Sequence, residues 1–71
     1  MAIPVTSRGN FQYLGNKDKK EVHDLNNENN NCQINEIFKA GHAVKFVPDL
    51  LSLAHIEGYD NCAYCIGGSQ R

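Results

Sequence analysis

Cys62 and Cys65 stand near the C-terminal end of the chain, in the run GYDNCAYCIGG at residues 58–68. A C-x-x-C spacing turns both sulfurs to one side of a tight turn. Such a pair is half of a zinc site, a redox couple, or part of a disulfide framework. In a chain of 71 residues the choice bears on whether the chain can fold at all. One core of this size yields no more than roughly 3–5 kcal/mol, so small domains often add a disulfide, a metal or a partner chain.

The chain has three cysteines, and an odd number fits a secreted disulfide scaffold poorly. The N-terminus lacks an apolar run of signal-peptide length, and no segment approaches the roughly 20 apolar residues of a membrane span. A reduced, cytoplasmic setting is therefore expected, with no membrane partner. There the pattern points to metal or redox chemistry. A redox pair needs a helix after the motif, whose dipole can stabilise a thiolate. Only IGGSQR follows Cys65, so the metal reading is preferred. Burial as a small hydrophobe would suit Cys32 alone, but it suits two cysteines beside glycines poorly.

Charge narrows the partners. The formal net charge is −1. Cations lean toward the front, at Arg8, Lys17, Lys19 and Lys20, while most acids come later. Tight phosphate-driven binding needs several clustered cations, and this balance argues against it. Lys17, Lys19 and Lys20 form a candidate binding tip for a phosphate or an acidic partner, offset by Asp18 and Glu21. The partner is expected to be a protein or a weakly bound nucleic acid. No long flat apolar edge strand calls for a dimer, so a monomer is expected.

The fold expected from pattern is a single α+β domain. Residues 1–10 read as a flexible tail, because Pro4, Ser7, Gly9 and Asn10 break any periodicity. Phe11 to Leu14 reads as a short strand, Gly15 to Asp18 as a turn, and Lys20 to Leu25 as the returning strand of a hairpin. The run NNENNN at residues 26–31 reads as a solvated loop, with Asn30 or Asn31 capping a helix that buries Ile34, Ile37 and Phe38. Gly41 is a natural helix stop. Residues 42–47 alternate as a half-buried strand, with Val44 and Phe46 on one face and Ala43, Lys45 and Val47 on the other. Pro48 and Asp49 are expected to open a second helix, with Leu50, Leu51, Leu53 and Ala54 inside and Gly58 as its end. The expected order is β-β-α-β-α: an antiparallel sheet of about three strands and two short helices. A domain at 11–67 would precede a short tail at 68–71. Tyr13, Val22, Ile34, Phe38, Val44, Phe46, Leu50, Ala54 and Tyr59 are the expected core.

A structural zinc takes four ligands, and three cysteines leave one place. The candidates are His23, His42 and His55. His55 falls mid-helix on the expected wet face. His42 starts a strand. His23 ends a strand nine positions before Cys32, so the two could bracket a loop as the first half of a site. The expected ligand set is His23, Cys32, Cys62 and Cys65, with Zn2+ as the bound ion.

The chain shows YLGNK at residues 13–17, His23, Cys32, VKF at 44–46, LAHIEGY at 53–59 and CAYC at 62–65. In that order these pieces resemble the small zinc-binding domain at the N-terminus of the Ada DNA-repair proteins, in its shorter Cys3His relatives of unknown function. The likeness covers Tyr13 to Ile66, about three quarters of the chain. It implies one zinc and an Ada-like domain at 11–67. In the repair proteins the first ligand is a cysteine that accepts a methyl group from a DNA phosphotriester. The residue that looks to match it here is His23, and a zinc-bound imidazole is a poor stand-in for that thiolate nucleophile. The residues around the knuckle, often basic in the family, are Asp60, Asn61, Ala63 and Tyr64 here.

The leading expectation is a non-catalytic binding module with no catalytic residue. The alternative is a sacrificial methyl acceptor at a zinc-bound Cys32 thiolate. A third reading, thiol redox cycling at Cys62 and Cys65, requires both thiols to be free of metal.

Overall fold

The computed structural model describes residues 1–67. One sheet contains β1 (Ala2–Pro4), β2 (Tyr13–Asn16), β3 (Glu21–Asp24), β4 (Ala43–Phe46) and β5 (Asp60–Asn61). The strand order is β1-β4-β2-β3-β5. All neighbours are antiparallel except β3 and β5, which run parallel. Two short helices, α1 (Ile34–Ala40) and α2 (Leu51–Ile56), complete the domain. The α+β class is as expected, but the sheet has five strands rather than three. Both extra strands lie at its edges.

The first edge corrects the expected tail. Ala2–Pro4 pairs with β4, opposing Ala2 to Phe46 and Pro4 to Val44, and Val5 N–H extends the ladder to Ala43 O at 3.0 Å. Pro4 is tolerated because an edge strand leaves one side of its backbone unpaired. The expected C-terminal tail at residues 68–71 lies outside the described residues.

Alternation along the strands assigns two packed faces. Leu14 and Ala43 join Ile34 and Ile37 of α1 and all three cysteines in one buried cluster. Val22, Val44 and Phe46 join Ala54 of α2 and Tyr59 in the other. The β4 strand is therefore covered on both sides rather than half-buried, because α1 and the cysteines close the Ala43 face. Of the expected core, Tyr13 and Phe38 are only partly buried and Leu50 is exposed.

The hairpin turn lies two residues later than expected. Gly15 is buried inside β2, and the turn spans residues 17–20. Asn16 builds it: its side-chain Oδ1 accepts from Asp18 N at 3.0 Å and Lys19 N at 3.2 Å. Lys20 closes the turn with φ of 55°.

Gly41 ends α1 as expected, with φ of 77° and its N–H bonded to Phe38 O at 3.1 Å. The second helix starts later than its sequence signals imply. Pro48 and Asp49 lie outside α2, and Leu50 takes the cap position with no side-chain bond. The Asp49 carboxylate instead accepts from Gln12 N at 2.6 Å and Tyr13 N at 3.0 Å, fixing the start of β2. No helix among the described residues is long and apolar enough to cross a membrane.

Candidate metal centre

His23 is brought inward by the period of β3. Val22 faces the α2 side, so its neighbour His23 faces the other and lies opposite Leu14 across the ladder. The knuckle hangs from the same strand. Asp60 and Asn61 pair parallel to Glu21 and Val22, and Cys62 N–H continues to Val22 O at 2.9 Å. The Ile66 and Gly67 N–H groups then both return to Cys62 O, at 3.1 and 2.9 Å, which closes the turn carrying Cys65.

Cys32 arrives from the asparagine-rich segment, which is more ordered than a solvated loop. It forms two 3-10 turns, Leu25–Asn27 and Asn30–Cys32. Asp24 caps the first through Asn26 N–H at 2.9 Å, and Asn29 caps the second through Asn31 N–H at 2.8 Å. These are side-chain-to-backbone bonds two residues on, the local geometry that Asp and Asn favour. Neither Asn30 nor Asn31 caps α1. That position is taken by Gln33 in the left-handed region, with no side-chain cap bond.

The four residues His23, Cys32, Cys62 and Cys65 are all buried, and their ligand atoms lie within 4.8 Å of one another. Cys32 Sγ and Cys62 Sγ are 3.4 Å apart, and Cys65 Sγ lies 3.8 Å from His23 Nδ1. A tetrahedral ion with bonds near 2.3 Å separates its ligand atoms by roughly 3.8 Å, so an ion fits between them. No two sulfurs are bonded as a disulfide. The group is suited to holding a metal ion.

Its electrostatics point the same way. Burial pushes the Cys32 thiol above its ordinary value and the Cys65 thiol up to about 12, although the Asp24 N–H, 3.3 Å from Cys65 Sγ, opposes the shift. Burial lowers the His23 pKa, which keeps the imidazole neutral. A neutral imidazole is ready to bind a cation, and a cation beside Cys32 and Cys65 would draw off the protons that burial holds there. His23 Nε2 is buried without a hydrogen-bond partner among the described residues. Its other nitrogen has only the long contact to sulfur, so a metal bond would supply the one strong interaction the ring lacks. Ligating histidines ordinarily donate their second N–H to a protein acceptor. This ring is held by packing instead.

His42 and His55 lie elsewhere. His42 Nδ1 is 4.0 Å from Asp18, and His55 Nε2 is 2.6 Å from Asn61 Oδ1. The three lysines of the hairpin turn are exposed, and Lys19 and Lys20 reach different surfaces. Lys20 Nζ lies 4.8 Å over the Tyr59 ring, on the α2 side. Lys19 lines a cleft of about 370 Å³ beside Cys32, in the company of Asp18, Glu21 and Glu36.

Two supporting residues had no place in the sequence reading. One is Asp24, through its backbone bond to Cys65. The other is Asn27, whose side-chain amide donates to Cys65 O at 2.6 Å. The Asp-x-Asn-Asn run carries a capping signal, but nothing in it points at a cysteine 38 residues on. Asn27→Ala is expected to cost about 1 kcal/mol, the net value of one partly buried hydrogen bond. Thermal melting of the metal-loaded variant beside the wild type would read the loss; an unchanged midpoint would remove Asn27 from the support of the knuckle.

No family model, curated protein or solved structure matches the chain.

Proposed function

We propose that the chain is a non-catalytic binding module built on one structural zinc. The observation that carries this reading is the convergence of four buried ligand atoms, three sulfurs and one imidazole nitrogen, within 4.8 Å. Three thiolates with one imidazole form a closed tetrahedral set of the kind zinc takes in structural sites, with no open position for substrate. His23, Cys32, Cys62 and Cys65 would hold the ion and so join β3, β5 and the turn before α1.

The order of the Gly-Asn-Lys turn, the histidine, the lone cysteine and the C-x-x-C supports placing the chain beside the Ada-like zinc domains. Burial weighs against methyl transfer. Cys32 is 6 % exposed, which restricts the approach of a DNA phosphotriester to that sulfur. The partner proposed is a protein or a weakly held nucleic acid, in a reduced compartment, with the module itself monomeric. Lys17, Lys19 and Lys20 remain candidate contacts, Lys20 with its ammonium over the Tyr59 ring.

Elemental analysis of protein purified under reducing conditions without added metal tests the reading, with His23→Ala alongside. One zinc per chain is expected, lost or weakly held in the variant. Metal-free wild type from fresh reduced preparations would sink the module as described.

A further inference from the structure

Lys45 sits in the middle of the sheet, on β4, opposite Ile3 on one side and Leu14 on the other. Its register puts it on the same face as Leu14, among apolar neighbours. It is partly buried, and it has no ion pair or hydrogen bond among the described residues. Its stem covers apolar surface, while its ammonium has no counter-charge among the described residues.

The space in front of Lys45 is a groove of about 450 Å³ walled by the loop at residues 4–11. Val5 and Phe11, which also pack on the first core cluster, give it an apolar floor. Thr6 and Ser7 add hydroxyls. No carboxylate among the described residues lines it, although the chain as a whole carries a net negative charge. The backbone N–H groups of Thr6, Ser7, Arg8, Gly9 and Asn10 meet no acceptor among the described residues. The loop is nevertheless anchored. Arg8 bonds both carboxylate oxygens of Glu28, at 2.6 and 3.0 Å, with Asn35 Oδ1 at 3.4 Å. At the loop's far end Gln12 and Tyr13 are fixed by Asp49. With its charge answered by Glu28, Arg8 leaves Lys45 as the uncompensated cation of the groove.

We propose that this groove binds a carboxylate carried on an apolar group. The Lys45 ammonium and the loop N–H groups would take the two oxygens, and Val5 and Phe11 would cover the apolar part. Charge-assisted bonds at an apolar wall are the usual composition of a small-ligand site. A fatty or aryl acid and the free C-terminus of a peptide share this chemistry. The site does not depend on the zinc reading, since no metal ligand lines it.

The test is a two-dimensional amide NMR titration of the whole protein as purified. The probes are hexanoate, a short peptide ending in leucine, the same peptide amidated, and inorganic phosphate. Saturable shifts at Ser7 to Asn10 and at Lys45 are expected with hexanoate or with the free-acid peptide. Whichever of the two binds more tightly identifies the source. Lys45→Met should weaken binding by about tenfold, the size of one lost charge-assisted bond, while Lys45→Arg should retain it within a few-fold. An unchanged spectrum outside the groove shows that each variant is folded. No shift with either carboxylate would overturn the proposal. So would equal binding by the amidated peptide, by phosphate, or by Lys45→Met.

Discussion

Removing the metal with a chelator is expected to unfold the domain. Three of the buried members of the first core cluster are Cys32, Cys62 and Cys65. Without an ion, that side of the sheet is closed by three thiols and a neutral imidazole with nothing to bind them together. Such contacts add little to a core that yields roughly 3–5 kcal/mol. Zinc binding in small domains supplies on the order of 10 kcal/mol of folding free energy, which is larger than the rest of the core can replace. Chelation should therefore collapse amide dispersion and melt the helical and sheet signals in circular dichroism. One equivalent of zinc should restore both. Cys65→Ser should behave like the chelated protein, because a serine hydroxyl cannot replace the thiolate ligand. Acid should release the ion as well. Binding displaces protons from thiols that burial holds high, Cys65 at about 12, so protons compete more strongly as pH falls. A fully dispersed spectrum from protein verified to be metal-free would show that the sheet stands without the staple.

The candidate site was legible for a local reason. Cysteine spacing and the position of His23 within a strand survive any rearrangement of the loops between them. The surroundings were harder to read because their interactions are long-range or ambiguous. Asp60–Asn61 is polar and two residues long, and it becomes a strand only because β3 offers an edge beside it. Ala2–Pro4 contains a proline and shows no alternation, yet the β4 edge captures it. Asp49 carries an orthodox helix-start signal, but its carboxylate accepts from the amides of Gln12 and Tyr13, 37 and 36 residues away, where β2 begins. Without that helical turn, Leu50 is left 51 % exposed. The asparagine run looked featureless because composition hides position: the exposed Asn27 still bonds Cys65 O through its amide, and Asn29 Oδ1 caps a 3-10 turn. In YLGNK the glycine and the asparagine both carry turn chemistry. Only Asn16 uses it, and Gly15 answers to packing.

Gly15→Ala is expected to destabilise the metal-loaded protein, and the sign is informative. Gly15 is not among the glycines with positive φ, so its backbone accepts alanine. By chain entropy alone the substitution would stabilise by about 0.4–1 kcal/mol. Packing opposes this. An added Cβ would lie 2.7 Å from Phe46 Cζ, 2.7 Å from Val44 Cγ2 and 2.9 Å from Tyr59 Cε2. The two rings already meet edge to face, with centroids 5.0 Å apart. Phe46 is 1 % exposed, so its ring has no solvent to retreat into. Overpacking of this kind costs about 1–3 kcal/mol, which exceeds the entropic gain. Each kcal/mol lowers the melting midpoint of a domain this size by roughly 4–8 °C. Val44→Ala removes one of the three clashing atoms while leaving a cavity of its own. The double variant should therefore lose less than the sum of the two single losses, a coupling that a cycle of melts can measure. A rise in the midpoint of Gly15→Ala alone, or strict additivity in the cycle, would mean that glycine is not required by the aromatic packing over β2.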